Sequence, residues 1–205
     1  MQKSIWTESV SLPAFAPMNR DEKTDILIIG GGMAGLLCAH ALREAGVDCL
    51  VIEAEKIAGG VTAGTTAKIT SQHGLIYHQL LKKFDRDTVL GYYRANQEAL
   101  EEYSRLAGRI ECDFEVKDNY IYSMDAPEKL EEELKALSRL GIPAELVETL
   151  PLPISTYGAV CFRDQAQFHP LKFLAGLVEG LNIREQTRAV KIEKGRVITD
   201  RGTVQ

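Results

Sequence analysis

Residues 24–55 read TDILIIGGGMAGLLCAHALREAGVDCLVIEAE, an apolar run that ends in three consecutive glycines, Gly30, Gly31 and Gly32. Glycine packs nothing, so three in a row are wanted for backbone geometry or for close approach of another group. The stretch "DILII" at 25–29 is a continuous apolar run bounded by glycine, the pattern of a buried parallel strand. Residues 33–45 have the composition of a helix, and "DCLVIE" at 48–53 repeats the strand pattern. Together they make a βαβ unit of about 30 residues.

Gly30, Gly32 and Gly35 fit G-x-G-x-x-G. That pattern is weak alone. Here it follows a strand and opens a helix, and Glu53 closes the second strand about 20 residues on, the context of a dinucleotide fingerprint. Gly30 permits the tight turn, Gly32 lets a pyrophosphate reach the backbone, and Gly35 lets the helix pack closely. Gly30, Gly32, Met33, Ala34 and Gly35 are expected to face the pyrophosphate, mainly through backbone N–H groups at the positive end of the helix. Glu53 suits the hydroxyls of an adenosine ribose and disfavours a 2′-phosphate. A small-residue face, Ala34, Cys38, Ala41 and Ala45, is expected to pack on the sheet. The competing reading is a βαβ unit whose glycine turn binds nothing.

The remaining composition narrows the function. The chain has 205 residues, 45% hydrophobic and 26% charged, with a formal net charge of -5. Its basic residues are scattered, so a nucleic-acid partner is not expected. No apolar run is long enough to span a bilayer. The N-terminus shows no apolar core with a small-residue cleavage site, which predicts a cytoplasmic protein. Cys38, Cys49, Cys112 and Cys161 form no CxxC pair and no metal-spaced set with histidine, so no metal site is expected; Cys38 and Cys49 read as packing residues.

Residues 1–23 read as an extended arm, 55–74 as a long glycine- and threonine-rich loop with one short helical turn, and 77–107 as two helical runs. Residues 113–124 suggest a strand pair turning at Asp118–Asn119. Residues 127–140 form a helix, taken as a solvated face with an apolar back, started by Pro127 and stopped by Gly141. A strand at 158–163, a helix at 170–180 and two strands at 182–193 and 196–199 complete the chain. It ends on strand–turn–strand with no closing element, as the N-terminal part of a longer protein would.

The quoted stretch resembles the FAD fingerprint of the D-amino-acid oxidase/glycine oxidase-like superfamily of FAD-dependent oxidoreductases. "GTTAKITSQHGLIY" at 64–77, with "SIW" at 4–6, resembles a bacterial branch that often carries a C-terminal Rieske [2Fe–2S] domain. "AQFHPLKFLAGLVEGLNIREQTRAVKIE" at 166–193 also fits the superfamily. The resemblance implies an α/β fold with an α+β insertion: a Rossmann-like FAD/NAD(P)-binding domain at 24–77 and 158–205, C-terminally incomplete, and an inserted substrate-side region at 78–157. It implies FAD as cofactor, an amine or amino acid as substrate, and hydride transfer from a C–N bond to flavin N5. A [2Fe–2S] cluster follows only if a Rieske domain lies beyond Gln205, since the ligand pattern C-x-H with C-x-x-H is absent here.

By the same resemblance Thr65, Thr66, Ala67 and Lys68 line the path from pyrophosphate to flavin, and Val190 meets the adenine through its backbone. Threonines capping their own loop, and Val190 as a core residue, are the alternatives. His73 is a candidate general base or hydrogen-bond partner, against a plain structural histidine. His78 and His169 read as structural, with His169 starting a helix. An NAD-binding dehydrogenase and a non-catalytic nucleotide-binding fragment stand as alternative functions. Substrate identity and electron acceptor are not encoded in any residue pattern here.

Overall fold

The computed structural model describes residues 4–150 and 153–205, so residues 1–3 of the arm and 151–152 of the expected insertion lie outside the described residues. In chain order the first elements are α1 (Ile5–Ser9), β1 (Ile26–Ile29), α2 (Met33–Glu44), β2 (Cys49–Ile52), a 3-10 turn (Val61–Gly64) and β3 (Lys68–Ile69). There follow α3 (Tyr77–Lys83), α4 (Arg86–Ala107), β4 (Glu115–Tyr122), α5 (Pro127–Leu140), β5 (Glu145–Val147) and β6 (Ala159–Gln167). The last are α6 (Pro170–Leu177), β7 (Ile183–Arg184), β8 (Ala189–Glu193), β9 (Arg196–Thr199) and β10 (Gly202–Val204).

The chain divides into two compact units, one of residues 1–67, 110–112 and 169–205, the other of residues 68–109 and 113–168. The first holds a parallel sheet in the order β1-β2-β7 and an antiparallel sheet in the order β10-β9-β8. Ile26 to Ile29 pair in parallel register with Cys49 to Ile52, and Val51 and Ile52 with Ile183 and Arg184. The expected βαβ unit is therefore present. β2 lies in the middle and is buried throughout, whereas β1 borders the sheet, with Ile26 37% and Ile29 49% exposed. The apolar run at 25–29 is thus an edge strand among the described residues, because only β2 covers its flank.

Helix α2 turns a different face inward from the one expected. Leu36 and Ala39 are buried, while Ala34, Cys38, Ala41 and Ala45 are exposed. At about 100° per residue, Ala34 lies some 200° from Leu36, so the small residues take the solvent side and the leucine fills the core. Cys38 is accordingly exposed and Cys49 buried. Met18, Leu50, Ile52 and Val204 form one core cluster, so the arm is packed rather than loose. The arm also contains α1, and beside β10 the Glu22 N–H donates to the Thr203 carbonyl.

The second unit is an antiparallel sheet around β6. β4 runs along one flank of it; β3 and β5 share the other, at Gln167–Ala166 and at Cys161–Ala159 respectively. Strands 68–69 and 159–167, read from sequence as parts of the nucleotide-binding domain, belong here because they pair with each other. The expected hairpin at Asp118–Asn119 is one strand with a register shift between Lys117 and Asn119. A full-length partner strand keeps it extended, and Asp118 accepts from Arg163 at 2.5 Å across the bulge. One core cluster unites Tyr77, Val89, Leu130, Leu137, Leu140, Val160 and Phe162. Helices α3 and α4 meet the expectation of two runs, separated where Asp85 caps Thr88 N–H.

The stretch 182–193 is not one strand. It breaks after Arg184, and Gln186 takes a φ of 48°. The side chains of Glu185 and Thr187 are spent on buried hydrogen bonds, while Gln186 and Thr187 donate their N–H groups to the carbonyls of Glu55 and Glu53.

Candidate functional site: a glycine-turn cradle

The turn from β1 into α2 is built by constraint. Gly30 has a φ of 112° and donates to the Ile52 carbonyl. A Cβ on Gly35 would stand 2.0 Å from the Gly30 carbonyl oxygen, closer than any side chain permits. The same Cβ would stand 3.3 Å from the Ile28 side chain of β1, so Gly35 lets the helix close both on its own turn and on the strand before it. A Cβ on Gly31 would meet the Ile57 side chain at 2.7 Å and that of Glu53 at 3.1 Å, so a larger residue here would force those side chains to move. At Gly32 a Cβ would meet only the Thr62 hydroxyl at 3.5 Å; this glycine is open to an approaching group.

Gly32 is the N-cap of α2 and supplies no side-chain cap. The Thr62 hydroxyl does so from the loop, accepting the Met33 N–H at 3.2 Å. Glu53 accepts the Gly31 N–H at 2.8 Å through one carboxylate oxygen and the Glu55 N–H at 2.9 Å through the other. Each oxygen keeps further lone pairs, so ribose hydroxyls can still donate to it. Exposed Ala34, half-buried Met33 and Gly32 lie at the same helix end. A side-chain-free turn, a helix N-terminus and a carboxylate at the adjoining strand end together fit an adenosine diphosphate moiety.

Beyond β2 the loop passes through two non-glycine residues in left-handed conformation, Ala58 (φ 54°) and Ala67 (φ 60°), each 3% exposed. The Thr65 hydroxyl accepts from Ala67 N–H at 3.3 Å, so it caps its own loop; Thr66 is exposed. Lys68 is exposed in β3 and pairs with Gln167 in the second unit. Val190 is 66% exposed, which excludes the core reading, and it falls at the register shift between Ala189 and Lys191, where the β8–β9 ladder leaves it without a partner residue.

Glu185 is the acid that sequence reading missed. It is 1% exposed, accepting Ile57 N–H at 2.9 Å, Phe15 N–H at 3.1 Å and the Lys56 ammonium at 2.6 Å. Burial pushes its carboxyl up, but the ammonium and the two N–H groups outweigh burial and hold it below its usual range. Its signal was in the alternation: Leu181, Ile183, Glu185 and Thr187 are buried and residues 182, 186 and 188 exposed. An acid in the inward phase needs a built partner. Trp6 was missed as well: its indole N–H donates to the Thr65 carbonyl at 2.9 Å.

In the second unit His73 is exposed, and its Nδ1 lies 2.6 Å from the Tyr92 hydroxyl. Tyr77 beside it is fully buried and donates to the Ser71 carbonyl at 2.6 Å; burial raises its hydroxyl well above the usual range. Glu133, 1% exposed on the apolar stripe of α5, accepts the N–H groups of Tyr77 and His78 at 2.9 and 2.8 Å. It corrects the view of that helix as a solvated face with a purely apolar back. Burial raises this carboxyl, only partly offset by those two donors. His169 caps α6 by accepting Lys172 N–H, as its place before Pro170 suggested.

Comparison with known proteins adds the family. Residues 25–205 match the model described as DAO, FAD dependent oxidoreductase. A Bacillus subtilis (strain 168) protein, YhfW, whose name describes it as a Rieske 2Fe-2S iron-sulfur protein, is 36% identical over 202 residues, covering 94% of this chain and 40% of its own length. Gamma-glutamylputrescine oxidoreductase of Escherichia coli (strain K12) is 24% identical over 194 residues, covering 89% and 43%. The structure of L-proline dehydrogenase from P. horikoshii aligns with a TM-score of 0.71 at 21% identity, over 90% of this chain and 51% of that one. The chain thus spans less than half the length of the two curated relatives. The family match decides between flavin and nicotinamide in favour of FAD.

Proposed function

We propose that this chain, which belongs to the DAO family of FAD-dependent oxidoreductases, carries the adenosine-diphosphate half of the FAD site of an enzyme that oxidises a C–N bond of an amine or amino acid. The observation that carries the reading is the cradle at Gly30–Gly35, where any Cβ on Gly35 would collide with the turn and Gly32 is left open. When bound, FAD would supply the redox chemistry, serving as the hydride acceptor for the C–N oxidation.

The chain's own residues bind and orient. The backbone at Gly32, Met33, Ala34 and Gly35 directs the helix N-terminus at the pyrophosphate. Glu53 accepts from the ribose. Thr65, Thr66, Ala67 and Lys68 line the path toward the flavin; the Thr65 hydroxyl accepts Ala67 N–H and keeps its own proton to donate. Val190 presents its bulged backbone to the adenine. His73, held by Tyr92, is the candidate hydrogen-bond partner or base on the substrate side.

The substrate class is supported by the relatives: one acts on a glutamylated diamine and one on proline, by their names. A [2Fe–2S] cluster enters the electron path only where a Rieske domain follows Gln205, a reading supported by the Bacillus relative's name. Among the described residues no group of three or more His, Cys, Asp or Glu side chains is placed to hold a metal. No helix there is long and apolar enough to cross a membrane. Four free cysteines support a reducing, cytoplasmic compartment.

The test is flavin content. Wild-type protein is expected to carry FAD released on denaturation, and Gly32→Leu to lose visible flavin absorbance while keeping its fold by circular dichroism. Full flavin occupancy in Gly32→Leu would refute the assignment.

A further inference from the structure

We infer that Glu185 and Trp6 are positioning residues that clamp the cofactor loop, residues 56–67, at its two ends and set how fast the dinucleotide leaves. The inference rests on the flavin reading above and adds to it a role for the N-terminal arm.

The loop supplies Thr62 to the helix N-terminus and Ile57 to the wall of the glycine turn. Ala58 N–H donates to the Gly31 carbonyl at 2.8 Å. A loop with these duties and two left-handed alanines holds its shape only when its surroundings over-determine it. Each strained alanine has a pin beside it. Next to Ala58, the Glu185 carboxylate takes both Ile57 N–H and the Lys56 ammonium. Next to Ala67, the Trp6 indole holds the Thr65 carbonyl.

Both pins lead into the arm. The oxygen of Glu185 that meets Lys56 also accepts Phe15 N–H, and Met18 N–H donates to the Thr187 hydroxyl at 3.1 Å. The Trp6 ring lies edge-on to His169, with centroids 5.0 Å apart, and the Ser9 hydroxyl sits 2.8 Å from His169 Nε2. Because His169 Nδ1 accepts Lys172 N–H, Nε2 carries the proton in the neutral ring and donates it to Ser9. The arm is therefore anchored on α6 and strapped over the loop. Residues 4–18 lie far from 56–67 and 185 in sequence, yet all belong to one compact unit.

The experiment uses FAD-loaded protein and reads the rate at which free flavin fluorescence appears after dilution, beside the urea midpoint of the apo form. Trp6→Phe keeps a ring and loses the N–H; Glu185→Gln keeps the shape but turns an amide N–H₂ toward donors. Each is expected to release FAD about 3–10-fold faster, the worth of one or two hydrogen bonds, with the bound flavin spectrum unchanged and the apo midpoint of Trp6→Phe within error of wild type. Thr7→Ala, which removes a hydroxyl bonded to the carbonyl of Ser4, the N-cap of α1, is expected to release FAD at the wild-type rate. Unchanged release in Trp6→Phe overturns the clamp even if Glu185→Gln fails to fold. Faster release in Thr7→Ala overturns it as well, since the effect would then be a general loosening of α1. Wild-type protein that takes up no FAD removes the flavin reading itself, and the clamp with it, a result distinct from FAD bound and released at one rate by all variants.

Discussion

Two buried carboxylates, one in each unit, are exposed to the same 1%, and each accepts two backbone N–H groups from elements remote in sequence. Their acidities nevertheless move in opposite directions. Glu185 has an ammonium at 2.6 Å and stays below its usual range; Glu133 is met by backbone N–H groups and by the His78 side chain, which do not offset burial, and it rises above its usual range. Burial alone does not set the behaviour of an acid. The partner decides whether its charge stabilises the fold or burdens it.

The largest test bypasses both acids. Gly35→Ala places a methyl 2.0 Å from a carbonyl, and no side-chain pin can relieve a backbone clash. It is expected to cost about 3 kcal/mol or more in urea unfolding and to abolish FAD binding. A stable, flavin-loaded Gly35→Ala protein would mean that the cradle yields and that side chains, not the turn, shape the site.

Next in size is Glu133→Leu, which leaves the N–H groups of Tyr77 and His78 without their carboxylate. The expected loss is about 2 kcal/mol in the urea midpoint of the second unit. A loss near zero would show that the carboxylate's desolvation cancels its hydrogen bonds.

The comparison itself is sharpened by pH. Glu185 has a folded-state value below the ordinary 4.5, so its stabilisation is present above that pH and fades as the pH falls through the folded value. The deficit of Glu185→Gln should therefore grow as pH rises from 3 toward about 6. Glu133 has a raised folded value, so its contribution is full below 4.5 and shrinks as the pH rises through the folded value. The deficit of Glu133→Leu should be larger at about pH 4 than at pH 7. Denaturation curves across that range should give opposite slopes; parallel slopes would break the contrast.

The smallest effect is expected from Thr62→Val. It removes the hydroxyl that caps Met33 N–H, for a loss of about 1 kcal/mol in thermal or urea stability.

The parts of the fold that were legible in sequence are those that local rules decide. The βαβ unit followed from an apolar run, a glycine turn and a second apolar run. Pro127 and Pro170 marked helix starts by ring geometry. The parts misread share one physical origin, a distant partner. Asp118–Asn119 looks like a turn until β6 lies alongside it. The run 182–193 looks like one strand until Glu185 and Thr187 are drawn into buried bonds. The stripe Ala34, Cys38, Ala41 and Ala45 suits a tight interface, yet Leu36 gains more by burial and, with Ala39 beside it, takes the inner face.

The candidate site divides the same way. Gly30, Gly32, Gly35 and Glu53 were named from sequence because the turn, the helix and the strand end fall within 24 residues of each other. Glu185, Trp6 and Thr62 could not be, although the alternation around residue 185 held a hint. The sequence by itself determined that a dinucleotide turn exists, since glycine geometry and strand–helix periodicity act over neighbouring residues. Only the tertiary structure decided what holds that turn and its loop, because the fixing hydrogen bonds join residues up to 170 positions apart and have no local trace.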